Sequence, residues 1–515
     1  MKFRLHVIAT VSTFFVVAAA RADVKLPGVF SSHMVLQREM PISIWGTAAT
    51  AEQVTVKFRD QQQTTKADKH GQWKVKLDPL TAGGPDVLSI SGKNTITLDD
   101  VLVGEVWVGS GQSNMAGAVR GYATGDPVLK SIAAKAPYAK IRLIRDGAKG
   151  VWKEATPQEV DGFSALLFPF GVRLQEELDV PIGLMLGAVG GTPSSYWLSE
   201  KAYQADAGCK RVVDEYAKTD QYDKAMQAYE RYMKAHEAAV EAAKKAGKQP
   251  PRAPQKPLQA GEPRGKIGNL YEAYIRPFVG YGIRGVLWDQ GEAGTAIGGL
   301  DQYTMMGALI RGWRNEWGQG DFPFLYVQKP SGGGCAWDPN DPVTDKAEPF
   351  SDLPSIVPAD GQFRETHIRI MTYPNTGIVI SSDLGPMTHP TNKSGYGTRA
   401  SRVALGMVYG KSVEYYGPVY ESHQVEGDKV RVRFTHVGRG LAYAHGERLQ
   451  GFAIAGPDKK FAWAEATIDG DSVLLGSPDV ANPVAVRYGW SQRHPWANLF
   501  NCDGLPALAF RTDKW

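Results

Sequence analysis

Between Val101 and Ser381 the chain repeats one unit, a short apolar run that stops abruptly in glycine or small polar residues. The runs are Val103 to Val108, Ile141 to Ile144, Ile182 to Ala188, Gly285 to Trp288, Phe324 to Val327 and Gly377 to Ser381. Unbroken apolar stretches of that length suit strands covered on both faces. Segments with helical spacing lie between several of them, such as Phe170 to Leu178 and Gln302 to Trp317. The alternation predicts an α/β fold with a mostly parallel sheet and helices on both faces. Ligands in such folds sit beyond the carboxyl ends of the strands. The residues that close each run are therefore where chemistry is expected.

Four of these ends are conspicuous. Val106 to Met115 reads Val-Trp-Val-Gly-Ser-Gly-Gln-Ser-Asn-Met, so Ser113 falls on a loop that Gly109 and Gly111 allow to turn tightly. A serine nucleophile needs that kind of presentation, although a plain strand-to-turn junction reads the same way. Gly190-Gly191-Thr192-Pro193 follows the run Ile182 to Ala188, offering bare amides or an ordinary turn. Trp288-Asp289-Gln290-Gly291-Glu292 brings an amide and carboxylates off a third strand, and also suits a capped helix start. The segment Ser381 to Lys393 holds Asp383 and His389 ahead of a helix expected from about Gly397. His389 is placed to act as a base, with His367 and His494 as rivals. A serine, a base and amide donors are the parts that acyl transfer needs.

The flanks differ. Residues 1–22 combine Lys2 and Arg4, an apolar stretch and Ala20-Arg21-Ala22, the pattern of a secretory signal peptide, so export to the periplasm or medium is expected. The stretch is shorter than the roughly 20 apolar residues a membrane span wants, and no membrane association is expected once it is removed. Its loss takes three basic and no acidic residues, bringing 58 basic residues close to the 54 acidic ones. Near-neutrality without a basic patch argues against nucleic acid as partner. Cys209, Cys335 and Cys502 are too few and too scattered for a disulfide framework or zinc site. Residues 23–100 show short alternating runs separated by turns, predicting a small β-sandwich-like domain, and 411–515 predict a second β module. Residues 101–410 form the α/β domain between them. Ser199 to Lys248, rich in Ala, Glu, Lys and Gln, predicts one or two solvated helices, and Pro250 to Pro263 a linker. Together they read as an insertion of about 199–265, an arm or contact surface. Nothing in the sequence sets an oligomeric state.

Gly111-Gln112-Ser113-Asn114-Met115, Gly190-Gly191-Thr192-Pro193, Trp288 with Gln290-Gly291-Glu292, and His389-Pro390 with Asn392-Lys393 resemble, in order, the blocks of the sialate O-acetylesterase-like family of the SGNH hydrolase superfamily. Leu36-Gln37-Arg38, Leu270-Tyr271, Trp313-Arg314, Phe322-Pro323-Phe324 with Val327-Gln328, and Gly504-Leu505-Pro506-Ala507 with Phe510-Arg511 extend the resemblance over nearly all of the chain outside the insertion. It implies a three-layer α/β/α domain without a metal or other cofactor, acting on an O-acetylated carbohydrate through a serine acetyl-enzyme. Ser113 would be nucleophile and His389 general base. The Ser113 amide, a Gly190 or Gly191 amide and the Gln290 side chain would form the oxyanion hole. Gln112, Asn114 and Glu292 would meet substrate, Glu292 orienting Gln290 or touching the sugar.

Many relatives place an aspartate two or three residues before the histidine, where this chain has Met387 and Pro386. Asp383 is the nearest carboxylate and completes a triad on this reading; a serine/histidine dyad steadied by a backbone carbonyl is the alternative. Sialate and plant hemicellulose (acetylxylan or acetylated xyloglucan) both remain open as substrates. A sialate carboxylate would want an arginine, a polysaccharide chain a groove floored by aromatics such as Trp197, Trp337, Trp490 or Trp496. A carbohydrate-binding protein without catalysis is the reading of a different class.

Overall fold

The computed structural model describes residues 23–385 and 388–515; the expected signal peptide and Pro386-Met387 lie outside the described residues. The N-terminal strands β1 (Val35–Gln37), β2 (Ile42–Thr47), β3 (Gln53–Phe58), β4 (Gln61–Lys66), β5 (Gln72–Leu77) and β6 (Gly83–Ser91) form two small sheets. β2 pairs with β5, while β4, β3 and β6 run antiparallel onto the first half of β7 (Thr95–Gly111). Inward positions such as Val54, Val56, Trp73 and Val75 are buried and alternate with exposed ones, as a half-solvated sheet requires.

β7 organises the molecule. Its residues alternate until Asp100 and are buried without a break from Val101 to Gly111, because from there the strand is covered on both faces. It straddles the expected domain boundary at residue 100. Asp99-Asp100 interrupts the apolar pattern and hides this continuity from the sequence. Asp100 takes a left-handed φ of 55°, with its carboxylate held by His33 and by Arg142 at 2.8 Å.

β8 (Tyr138–Ile144), β9 (Lys153–Ala155), β10 (Ile182–Ala188), β11 (Gly285–Asp289), β12 (Phe324–Val327) and β13 (Thr376–Val379) complete the central sheet in the order β13-β12-β11-β7-β10-β8-β9. Every neighbouring pair is parallel except β8 with β9. Strand order reverses at β7, which opens a crevice beyond its carboxyl end between β10 and β11. Helices α1 (Ser113–Ala116) and α2 (Leu167–Leu178) follow β7 and precede β10; after β10 come α3 (Glu200–Ala205), α4 (Ala207–Tyr216), α5 (Gln221–Lys245), α6 (Gln302–Trp317) and α7 (Lys393–Met407).

Trp107 of β7 stands level with Gly285 of β11 and packs edge-on against Phe170 of α2. Trp288, three residues past Gly285, points to the opposite face and packs on Trp197 and on Trp313 of α6. Helices therefore cover both faces, giving the three layers.

The insertion holds three helices, because Asp206 accepts a bond from the Cys209 amide and starts α4 anew. α3 and α4 lie against α6, whereas α5 buries no residue. The C-terminal module has its own core around Val432, Phe434, Phe452, Ile454 and Tyr488 between antiparallel sheets. Ser412 to Tyr416, at the start of this module, is irregular chain; Tyr416 is buried there and its hydroxyl accepts from the Ile378 amide of β13. The three cysteines are unpaired. Among the described residues no helix is long and apolar enough to cross a membrane.

Candidate active site

Beyond the carboxyl end of β7 the backbone is held against β11. The Gln112 amide donates to the Asp289 carbonyl at 2.8 Å, and Gly111 lies so close to that carbonyl that a Cβ would stand 2.2 Å from its oxygen. Gly111 also has a φ of 127°, which side chains resist. Gly111→Ala is expected to cost at least about 1–3 kcal/mol from backbone strain and to displace Ser113, lowering both melting temperature and turnover.

The turn makes Ser113 the first residue of α1, and its hydroxyl meets Nε2 of His389 at 2.7 Å, across 276 residues of chain. Gly190 abuts the serine: a Cβ on it would lie 3.4 Å from that of Ser113. Among the described residues the amides of Ser113, Gly190 and Gly191 donate to no protein acceptor, and those of Ser113 and of Gly190, which abuts it, are free for a substrate oxygen. Gly191 has a φ of 71° and open space where a side chain would be.

Other expected roles need correction. Asp383 is wholly buried, and its two oxygens accept from Arg399 of α7 at 3.2 and 2.8 Å, so it fixes α7 rather than the imidazole. Among the described residues no carboxylate lies within 4.0 Å of the His389 ring nitrogens. Gln290 is wholly buried and its amide donates to Gly294 O at 3.1 Å and Thr192 O at 3.4 Å, while its oxygen accepts from Gln302. It ties the glycine loop to the loop after β11, and both amide hydrogens already have acceptors.

Gln112 and Asn114 are 3% and 1% exposed, so they lie beneath Ser113 and offer almost no surface to a substrate. Glu292 reaches the surface at its edge, but its oxygens take Gln112 and Lys329; it orients Gln112, not Gln290. Trp197, Trp490 and Trp496 are buried in cores and floor no groove, and only Trp337 of the four is part-exposed. His367 is sealed under Gly291, and burial, with Lys329 and Arg364 nearby, pushes it down to about 3. His494 is likewise buried and pushed far down by desolvation. Neither rival can serve as a base open to substrate.

A buried charge cluster underlies the crevice. Lys329, at the end of β12, stands 2.8 Å from Asp289 and 2.9 Å from Glu292, with the Asp289 contact out of line for a hydrogen bond. Burial would lower the lysine pKa, but Asp289 and then Glu292 more than offset it and hold Lys329 protonated. Sequence reasoning passed over Lys329, although a cation ending an apolar run obeys the same strand-end rule that singles out Ser113.

Fold and site together define an esterase of the SGNH hydrolase class. No protein-family model matches the chain. The structure superposes on that of a carbohydrate acetylesterase from Xanthomonas citri with a TM-score of 0.73 and 30% identity, covering 96% of this chain and 100% of that one. The sialate O-acetylesterase of Homo sapiens is 25% identical over 546 residues, 94% of this chain and 92% of its own, and that of Rattus norvegicus 29% over 338 residues, 58% and 59%. The chain belongs to the sialate O-acetylesterase-like family.

Proposed function

We propose that the protein is an exported carbohydrate O-acetylesterase that removes acetyl groups from sugar hydroxyls through an acetyl-enzyme on Ser113. The observation that carries this reading is the 2.7 Å contact between Ser113 Oγ and His389 Nε2, with the unclaimed amides of Ser113 and of the Gly190-Gly191 turn close by. Ser113 Oγ attacks the ester carbonyl and passes its proton to Nε2. The carbonyl oxygen becomes negative against the amides of Ser113 and of Gly190 or Gly191, each such donor being worth about 10²–10³ in turnover. The C–O bond to the sugar then breaks, and His389 returns the proton to the departing hydroxyl. Water repeats the sequence with roles reversed, giving acetate and free Ser113. Nε2 can accept from the hydroxyl only if Nδ1 bears the ring hydrogen. With Asp383 committed to Arg399, the reading is a serine/histidine dyad. Export rests on the pattern of residues 1–22.

Acetate release from O-acetylated sialic acid, acetylated xylan fragments and acetylated xyloglucan fragments tests the proposal. Release from at least one is expected, and the preferred substrate separates the sialate from the hemicellulose reading. A protein that binds these glycans yet releases no acetate from any of them is a binding module, and the proposal then fails.

A further inference from the structure

We propose that Lys393 is a positioning residue that sets the orientation of Asn114 and thereby locks the loop of His389 onto the loop of Ser113. Lys393 opens α7 and is 1% exposed. A cation in the first helical turn faces the positive end of the helix dipole, and burial costs it hydration. Among the described residues no carboxylate lies within the 4.0 Å of an ion pair to compensate. Its Nζ instead donates to Asn114 Oδ1, and lies 4.6 Å from the centre of the Tyr122 ring and 5.7 Å from that of Tyr396. An ordinary core position here would hold an apolar side chain, so the ammonium calls for another reason.

Donor and acceptor chemistry supplies one. Burial pushes Lys393 down to about 7; in its protonated form it only donates, so the amide oxygen of Asn114 faces Lys393 and its NH₂ faces away. The NH₂ meets the Thr388 carbonyl at 3.0 Å. Thr388 immediately precedes His389 and Asn114 immediately follows Ser113, so one amide spans the two reacting residues. Turned over, that amide would set NH₂ against the ammonium and oxygen against the carbonyl, and the link would be lost. Asn392 steadies the same corner, accepting from the Gly395 amide at 2.8 Å and donating to Val343 O.

This inference rests on the esterase reading, and the test keeps the two apart. Steady-state hydrolysis of p-nitrophenyl acetate and thermal unfolding are measured for the wild type, Lys393→Met, Asn114→Leu and the double variant. Lys393→Met is expected to lower kcat about 10- to 100-fold, the worth of a hydrogen bond to a charged group, with KM little changed and no fall in melting temperature. A residue that is merely structural would lose stability first. The double variant is expected to be no slower than Asn114→Leu alone, because both substitutions break one link. A folded Lys393→Met with wild-type kcat overturns the proposal, as do single-variant losses that multiply in the double. Should Lys393→Met not fold, Asn114→Asp decides: it keeps a partner for Lys393 but has no hydrogen to give Thr388. It must lose kcat, and wild-type turnover there overturns the latch. A wild type inactive on this ester and on acetylated sugars sinks the esterase reading itself.

Discussion

Ser113→Ala is expected to lower acetate release by about 10⁴- to 10⁶-fold, the range that removal of the nucleophile produces in serine hydrolases. The hydroxyl is the only part of the side chain removed, and its hydrogen-bond partner is His389, which lies exposed. The fold should therefore stand, with an unchanged melting temperature and undiminished glycan binding. What activity remains would come from the amides of residue 113 and of Gly190 or Gly191, which the substitution leaves in place. His389→Ala should fall as far, and the double variant no further, since two groups that act as one unit are lost once. Initial rates of acetate release, read beside melting curves, check all three. A Ser113→Ala protein within tenfold of wild type would place the nucleophile elsewhere.

Glu105→Ala is expected to cost about 3–5 kcal/mol, the penalty for removing one partner of a buried ionic cluster. Glu105 is wholly buried in β7. It accepts from Arg38, which follows β1, from Arg284, which precedes β11, at 2.7 and 3.0 Å, and from Gln37 at 3.1 Å. Gln37 in turn accepts from the Val106 amide at 2.8 Å. Alanine would leave two guanidinium groups facing a cavity with only the exposed Glu39, at 3.5 and 3.4 Å, as counter-ion, and a large drop in melting temperature should follow.

The same carboxylate makes stability depend on pH. Burial raises its pKa, but Arg284, Arg38 and Gln37 more than offset that, so the folded value lies below the 4.5 of an ordinary glutamate. The unfolded chain thus takes up the proton first on acidification. Glu105 contributes its full stabilisation above about pH 4.5, and this is lost as pH falls through the folded value. Melting temperature should fall more steeply with acid in the wild type than in Glu105→Gln, and parallel curves would assign the acid sensitivity to other groups.

Much of the architecture is written locally. Ile182 to Ala188, Phe324 to Val327 and Gln302 to Trp317 fall where their apolar periodicity puts them, because burial on both faces or on one stripe leaves a pattern in a few consecutive residues. Ser113 and His389 could be singled out for the same reason: each follows a buried strand, and parallel strands end at one edge. Pairing across the tertiary structure leaves no such mark. Asp383 was nearest to His389 in sequence, yet its partner is Arg399, one face of α7 away. Gln290 and Asn114 carry the right chemistry for substrate, and only their burial shows that they serve the loops. β4, Gln-Gln-Gln-Thr-Thr-Lys, has no apolar residue and forms because β3 offers it an edge, so no periodicity announces it.

β7 runs unbroken from the small N-terminal sheet to the turn that presents Ser113, with Val35 to Gln37 lying beside Leu102 to Gly104 on the way. The two parts share a backbone, hydrogen-bond ladder and ion cluster, so there is no hinge at which one could swing against the other. A cut at residue 100 would not release a catalytic fragment; it would shear the middle strand and strip Val101 to Val103 of neighbours. The N-terminal strands are therefore the stem on which Ser113 is carried, and the two must fold as a single piece.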